Sequence, residues 1–204
     1  MRVEPAQCFA LAGAAAVLLL QAADAGPVLE YRRAMLASEP WRLLTGHFVH
    51  VNWRHAILNA LAWVALARLY APELGPWRQA ALLASSALAT GLALRLAAPE
   101  IAWYRGLSGA LHGLFAAGAV RWLARPADHD RSEPRRRLWP ALLLAALWGK
   151  VLAEQSGVRI ANENWLGFAV VTRAHLFGAA GGTLIGALTA WLRPATIAGA
   201  SRNR

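Results

Sequence analysis

Residues Arg105–Phe115 read RGLSGALHGLF, which sets Ser108 between two glycines at the mouth of an apolar run and His112 one helical turn later. On a helix, residues four apart share a face, so the hydroxyl and the imidazole lie on one side. Polar groups of this kind are costly inside an apolar segment and tend to mark function. What surrounds them decides which.

The chain has 204 residues, of which 57% are hydrophobic. That composition belongs to membrane proteins rather than to soluble domains. Six runs approach the length of about 20 mostly apolar residues that a bilayer requires. They cover 6–26, 55–71, 77–96, 107–123, 138–155 and 174–192, separated by stretches rich in Pro, Arg, Glu and Asn, with no internal repeat. The expectation is an all-α fold, a single polytopic membrane domain of six spans over 1–204. The net charge of +10 does not argue for nucleic acid, because its arginines are scattered between apolar runs. The single cysteine, Cys8, excludes a disulfide framework and a cysteine-based metal site.

Cytoplasmic loops hold the excess of Lys and Arg. With the N-terminus inside, that side receives Arg2, Arg68, Arg78, Arg121, Arg125, Arg131, Arg135, Arg136, Arg137, Arg193, Arg202 and Arg204. The opposite side receives Arg32, Arg33, Arg42, Arg54, Arg95, Arg105, Arg159 and Arg173. Both termini are thus expected in the cytoplasm, and the RSEPRRR loop decides it. The first run also resembles a signal peptide, with Ala23-Asp24-Ala25 as a small-residue cleavage site. Its removal would leave the other five runs facing the same way.

The polar groups gather at three run starts. His47, His50, His55 and Asn59 open the second, Ser108 and His112 the fourth, and His175 the sixth. Runs two, four and six share a direction, so all three clusters fall on the extracytoplasmic side. A transporter would instead spread its polar groups along a pathway. A serine nucleophile needs a base and donors for the oxyanion. At a helix start, Ser108 has free backbone N–H groups and the positive dipole end beside it. Gly106 and Gly109 leave room for a substrate backbone. The soluble-hydrolase elbow fails, because Ala110 stands where it needs glycine. Either His112 or His175 suits the part of base. His55 and Asn59, four apart, offer an imidazole and an amide on one face. A zinc site at His47, His50 and His55 lacks HExxH and a carboxylate at useful spacing, so no metal is expected. Gly178 and Gly182 make a GxxxG step, and Gly109, Gly113 and Gly118 nearly align, which would let the fourth and sixth helices approach closely. Lys150 and Glu154, also four apart, are expected to neutralise each other.

Assembled, these residues resemble the rhomboid intramembrane serine proteases. The likeness rests on Trp41-Arg42, on His50, His55 and Asn59 as H-x4-H-x3-N, on GLSG at Gly106–Gly109, and on Ala174, His175, Gly178 and Gly182. It spans nearly the whole chain. The resemblance implies Ser108 as nucleophile, His175 as base, and His55, Asn59 and the Ser108 N–H as oxyanion hole, without an acidic third member and without a cofactor. Many rhomboids carry an aromatic residue where His112 stands, which implies that His112 packs on the catalytic histidine. The short layout, LHG after GLSG and the Lys150/Glu154 pair are most similar to the rhombosortase branch, associated with C-terminal Gly-Gly sorting tails in Gram-negative bacteria. That implies a bacterial inner-membrane enzyme in the lipid bilayer, opening to the periplasm, with single-span membrane-anchored protein substrates. The rival within the family is an inactive client-binding protein, for which retention of Ser108, His175, His55 and Asn59 together has no chemical purpose.

Overall fold

The structure is a computed structural model and describes residues 5–125, 133–160 and 163–192. In chain order its helices are α1 (Pro5–Ala22), α2 (Gly26–Leu29), α3 (Arg42–Thr45), α4 (Trp53–Leu69), α5 (Pro76–Ala97), α6 (Ser108–Leu123), α7 (Glu133–Gln155), α8 (Glu163–Leu166) and α9 (Thr172–Trp191). A two-residue ladder pairs β1 (Tyr31–Arg32) with β2 (Trp103–Tyr104) antiparallel. The chain is therefore essentially all-α, as expected, and six of its helices have sixteen residues or more.

Their limits follow local chemistry. α1 stops at Ala22, short of the expected 26, where Asp24 takes a positive φ of 45° and Gly26-Pro27 opens α2. α4 starts two residues early because Asn52 caps it, its side-chain oxygen accepting from the His55 N–H at 3.0 Å. Pro76 occupies the first turn of α5, where a missing N–H leaves nothing unpaired. α7 reaches back to Glu133, past Pro140. Arg2, Arg131, Arg193, Arg202 and Arg204, which enter the charge balance, lie outside the described residues, as does the whole 126–132 connection. α1 and α5 are long and apolar enough to cross a membrane on their own. α4 and α6 are shorter, at 17 and 16 residues, and α4, α6, α7 and α9 carry the polar groups of the site.

α6 lies at the centre, with Gly109, Ala110, Leu111, Gly113, Leu114 and Ala116–Ala119 all buried. α9 runs along it, α5 packs on both, α7 covers another flank, and α1 pairs with α4. The usual gradient of polarity is inverted. Gln79, Ser86 and Thr90 are fully buried, while Leu61, Leu96, Leu184 and Leu188 face outward. Such a surface suits lipid, where packing of small residues rather than the hydrophobic effect joins helices.

The α6–α9 seam is backbone against backbone. A Cβ added at Gly178 would lie 1.9 Å from the Gly109 carbonyl oxygen, and one at Gly182 would lie 2.0 Å from that of Gly113. Neither neighbour can yield, since each belongs to a helix. Gly178→Val should therefore push the helices apart and cost about 1–3 kcal/mol or more. We expect a lowered unfolding temperature in detergent for Gly178→Val, and an equal or slightly raised one for Gly149→Ala, whose Cβ would meet open space inside α7.

Candidate active site

The segment between α1 and α4 is strapped to the one that precedes α6. Besides the β1–β2 ladder, the Arg33 N–H donates to Ala102 at 2.9 Å and the Gly106 N–H to Gly46 at 3.1 Å. Glu30, buried, accepts from Arg32 and from Arg105. The Arg42 guanidinium reaches the Glu30 carbonyl at 2.8 Å and also pairs with Glu39. Arg33 closes the base of the strap on the carbonyls of Leu94, Arg95, Ala98 and Ile101. These bonds hold Gly106 at φ 131°, in the region that favours glycine, and α6 begins two residues on. The His55 ring packs against this glycine, and a Cβ there would stand 2.5 Å from the ring.

Ser108 is the first residue of α6, and His175 sits in the first turn of α9. His175 Nε2 lies 3.0 Å from the Ser108 Oγ. The seam sets this distance, because it holds the first turns of both helices at one level. His55, Asn59, His112, Ser108 and His175 line one cleft of about 220 Å³, closed on one side by Leu166, Phe168 and Val170. Phe168 lies 4.8 Å from the His55 ring. An apolar cleft of about 400 Å³ between α4 and α7 adjoins it at Ala62, Leu111 and His112. Asn59 donates one amide hydrogen to the His55 carbonyl at 2.9 Å, which leaves it a second.

His112 does not compete for the hydroxyl. Its Nδ1 lies 2.7 Å from the Ser108 carbonyl oxygen, and its ring stacks on His175 with centroids 4.1 Å apart and planes at 11°. The Lys150/Glu154 pair is formed as expected, at 2.8 Å, but it is turned toward these two rings. Glu154 Oε2 is 2.8 Å from His175 Nδ1, and Lys150 Nζ is 2.7 Å from His112 Nε2. An acid thus stands where the resemblance implied none. His112, Glu154 and His175 offer possible metal-ligand atoms within 4.8 Å of one another. The Lys150 ammonium sits among them, 3.0 Å from His175 Nδ1, where a cation would have to go. His50 and His55 meet edge to face, while His47 lies against Tyr104.

Three supports were not singled out from sequence: the strap, Tyr104 and the 166–170 segment. The Tyr104 hydroxyl donates to the Gly106 carbonyl and accepts from the Gly109 N–H at 3.3 Å, bracing both glycines that flank the serine. Burial pushes it up to about 12, so it stays a donor. Burial also lowers His47 to about 4, and it lowers His50 to about 3 with His55 beside it.

Residues 37–192 match the family model described as Rhomboid domain. The chain is also similar to Rhomboid protease GlpG of Salmonella paratyphi A (strain ATCC 9150 / SARB42), 27% identical over 145 residues. That alignment covers 71% of this chain and 46% of the relative, so it spans less than half of that protein's length.

The buried histidines give stability a sign with pH. His47 is neutral when folded and takes a proton near 6.5 when unfolded, so below pH 6.5 the unfolded chain binds more protons. Stability should be complete above that value and fall toward pH 4, by on the order of 2–3 kcal/mol for such a shift. Unfolding temperature against pH should show this slope, and His47→Gln should flatten it.

Proposed function

The chain belongs to the rhomboid family of membrane proteins, and we propose that it is an intramembrane serine endopeptidase in which Ser108 is the nucleophile and His175 the general base. The observation that carries this reading is the 3.0 Å contact between Ser108 Oγ and His175 Nε2 in a cleft shared with His55 and Asn59. As Oγ bonds to the scissile carbonyl carbon, its proton passes to Nε2. The oxyanion faces the Ser108 N–H, which has no partner within its own helix, with the His55 imidazole and the second Asn59 hydrogen beside it. His175 then gives the proton to the leaving amine as the C–N bond breaks. Water reverses the sequence and frees the acyl group.

A substrate helix has its carbonyls bonded to N–H groups four residues on, so it must open before Ser108 can reach one. The apolar cleft between α4 and α7 suits its lateral approach. The six long helices are read as six spans, with both ends of the bundle's chain in the cytoplasm and Ser108 near the periplasmic face of a bacterial inner membrane. The substrates are single-span membrane-anchored proteins. Within the family the chain is assigned to the rhombosortase branch, on LHG after GLSG and on Lys150 with Glu154. Glycine weakens a helix by up to about 1 kcal/mol relative to alanine, so a Gly-Gly site at the outer edge of a C-terminal span would open first. A terminal basic cluster would keep the tail's end inside.

A fluorophosphonate probe should label the purified protein at Ser108, and labelling that survives Ser108→Ala would defeat the assignment. His55→Ala and Asn59→Ala should each slow turnover by about 100- to 1,000-fold while folding normally. His112→Phe should keep substantial activity if His112 serves only to pack on His175. Replacing the Gly-Gly of a tail reporter with leucine should block its release. Undiminished, Ser108-dependent cleavage of the leucine version would leave a general rhomboid protease and remove the branch assignment.

A further inference from the structure

The ionisable groups around His175 come from three other helices: His55 from α4, His112 from α6, and Lys150 and Glu154 from α7. We propose that Glu154, held by Lys150, is a positioning residue that fixes His175 as its Nδ1–H tautomer and makes the Ser108–His175 pair a triad. This rests on the protease reading above and goes past it, since the family resemblance implied a dyad alone.

A neutral imidazole carries one N–H, and it accepts a proton only at the other nitrogen. If His175 held its hydrogen on Nε2, the Ser108 proton would have nowhere to go. Two groups contend for Nδ1. Glu154 Oε2, at 2.8 Å, requires an N–H there, whereas Lys150 Nζ, at 3.0 Å, would donate to a bare nitrogen and force the wrong tautomer.

The contest is settled from the far side of the cluster. The Ser108 carbonyl can only accept, so His112 must donate to it from Nδ1, at 2.7 Å. His112 Nε2 is then bare and accepts from Lys150 at 2.7 Å. Lys150 also donates to Glu154 Oε2 at 2.9 Å and is ion-paired with Oε1 at 2.8 Å. Lys150 thus has acceptors in His112 and the Glu154 carboxylate without His175, whereas the carboxylate, nearer to Nδ1 than the ammonium and unable to donate, makes Glu154 the partner of His175 Nδ1. The chain of bonds begins at the carbonyl of Ser108 and returns to its hydroxyl through His112, Lys150, Glu154 and His175.

The same arrangement answers the charge that develops. When the Oγ proton reaches Nε2, His175 becomes an imidazolium with its Nδ1–H still on a carboxylate whose side chain is 2% exposed. So little water screens that pair that the carboxylate stabilises the cation strongly. Before the reaction Lys150 balances Glu154, which an isolated buried carboxylate would need. Gln155 donates to the Thr172 carbonyl at 3.2 Å and ties this end of α7 to the start of α9. His112, stacked on the ring, blocks its rotation.

The test pairs kinetics on a cleaved reporter with 15N NMR of histidine-labelled protein in detergent. Wild-type His175 should show Nδ1 protonated and Nε2 bare. Glu154→Ala should lower kcat by about 100-fold or more with KM within about threefold, as loss of an orienting acid does in serine-hydrolase triads. Glu154→Gln should not rescue kcat, because its amide NH2 can donate to Nδ1 and impose the unproductive Nε2–H tautomer. Since Glu154→Ala strands a buried ammonium, the neutral pair Lys150→Met with Glu154→Gln guards against misfolding. It should keep the unfolding temperature and the kcat of Glu154→Gln. Nε2–H in the wild-type spectrum, or kcat in Glu154→Ala within about threefold of wild type, would overturn the proposal. A wild-type protein without Ser108-dependent turnover would defeat the protease reading instead, and the spectrum, which needs no substrate, would still locate the proton.

Discussion

Everything at the site depends on one backbone contact, the approach of α9 to α6 through glycine. The Gly178 Cα faces the Gly109 carbonyl and that of Gly182 faces the Gly113 carbonyl, with no space for a methyl group. At such separation the first turns of the two helices are neighbours. Ser108 on one and His175 on the other meet at hydrogen-bond distance without bending either helix. In lipid no hydrophobic gain draws helices together, so close packing and polar bonds must do it. The seam supplies the first, and the residues at its open end supply the second.

That open end is stiffened from outside by the strap between α1 and α4. Its arginines work mainly as donors to carbonyls and as partners of buried Glu30 rather than as surface charge. Arg105 and Gly106 are adjacent, so the ion pair with Glu30 acts one residue from the glycine that bears on His55. Tyr104 bonds on the other side of the same turn. A loop braced in this way can keep a positive φ at Gly106 and still present the serine reproducibly.

The interior polar groups carry the opposite burden. A lysine, a glutamate and two imidazoles within bonding distance would be costly one at a time, yet together they leave no unpaired charge. The bond that each proton makes is constrained by its neighbours, with Lys150 and Glu154 both within reach of His175 Nδ1.

Much of this was legible in the chain. Composition and run length set the all-α class, because an apolar run that crosses lipid must satisfy its backbone N–H and C=O groups within itself. Shared parity of the second, fourth and sixth runs put Ser108, His55, Asn59 and His175 near one level, and the small-residue steps announced a close α6–α9 approach. Spacing of four within a helix also told that Lys150 would meet Glu154. It could not tell which way the pair would face, since that depends on the rotation of α7 about its axis, set by packing against α6 and α9. Spacing alone likewise left His112 a rival base; the resemblance made it a packing partner, and its Nδ1 lies on the Ser108 carbonyl. Phe168 and Tyr104 come from irregular segments with no period to read. Sequence determined which groups each helix carries; only the tertiary structure decided which of them touch, because contacts across helices follow from depth and rotation that no single helix encodes.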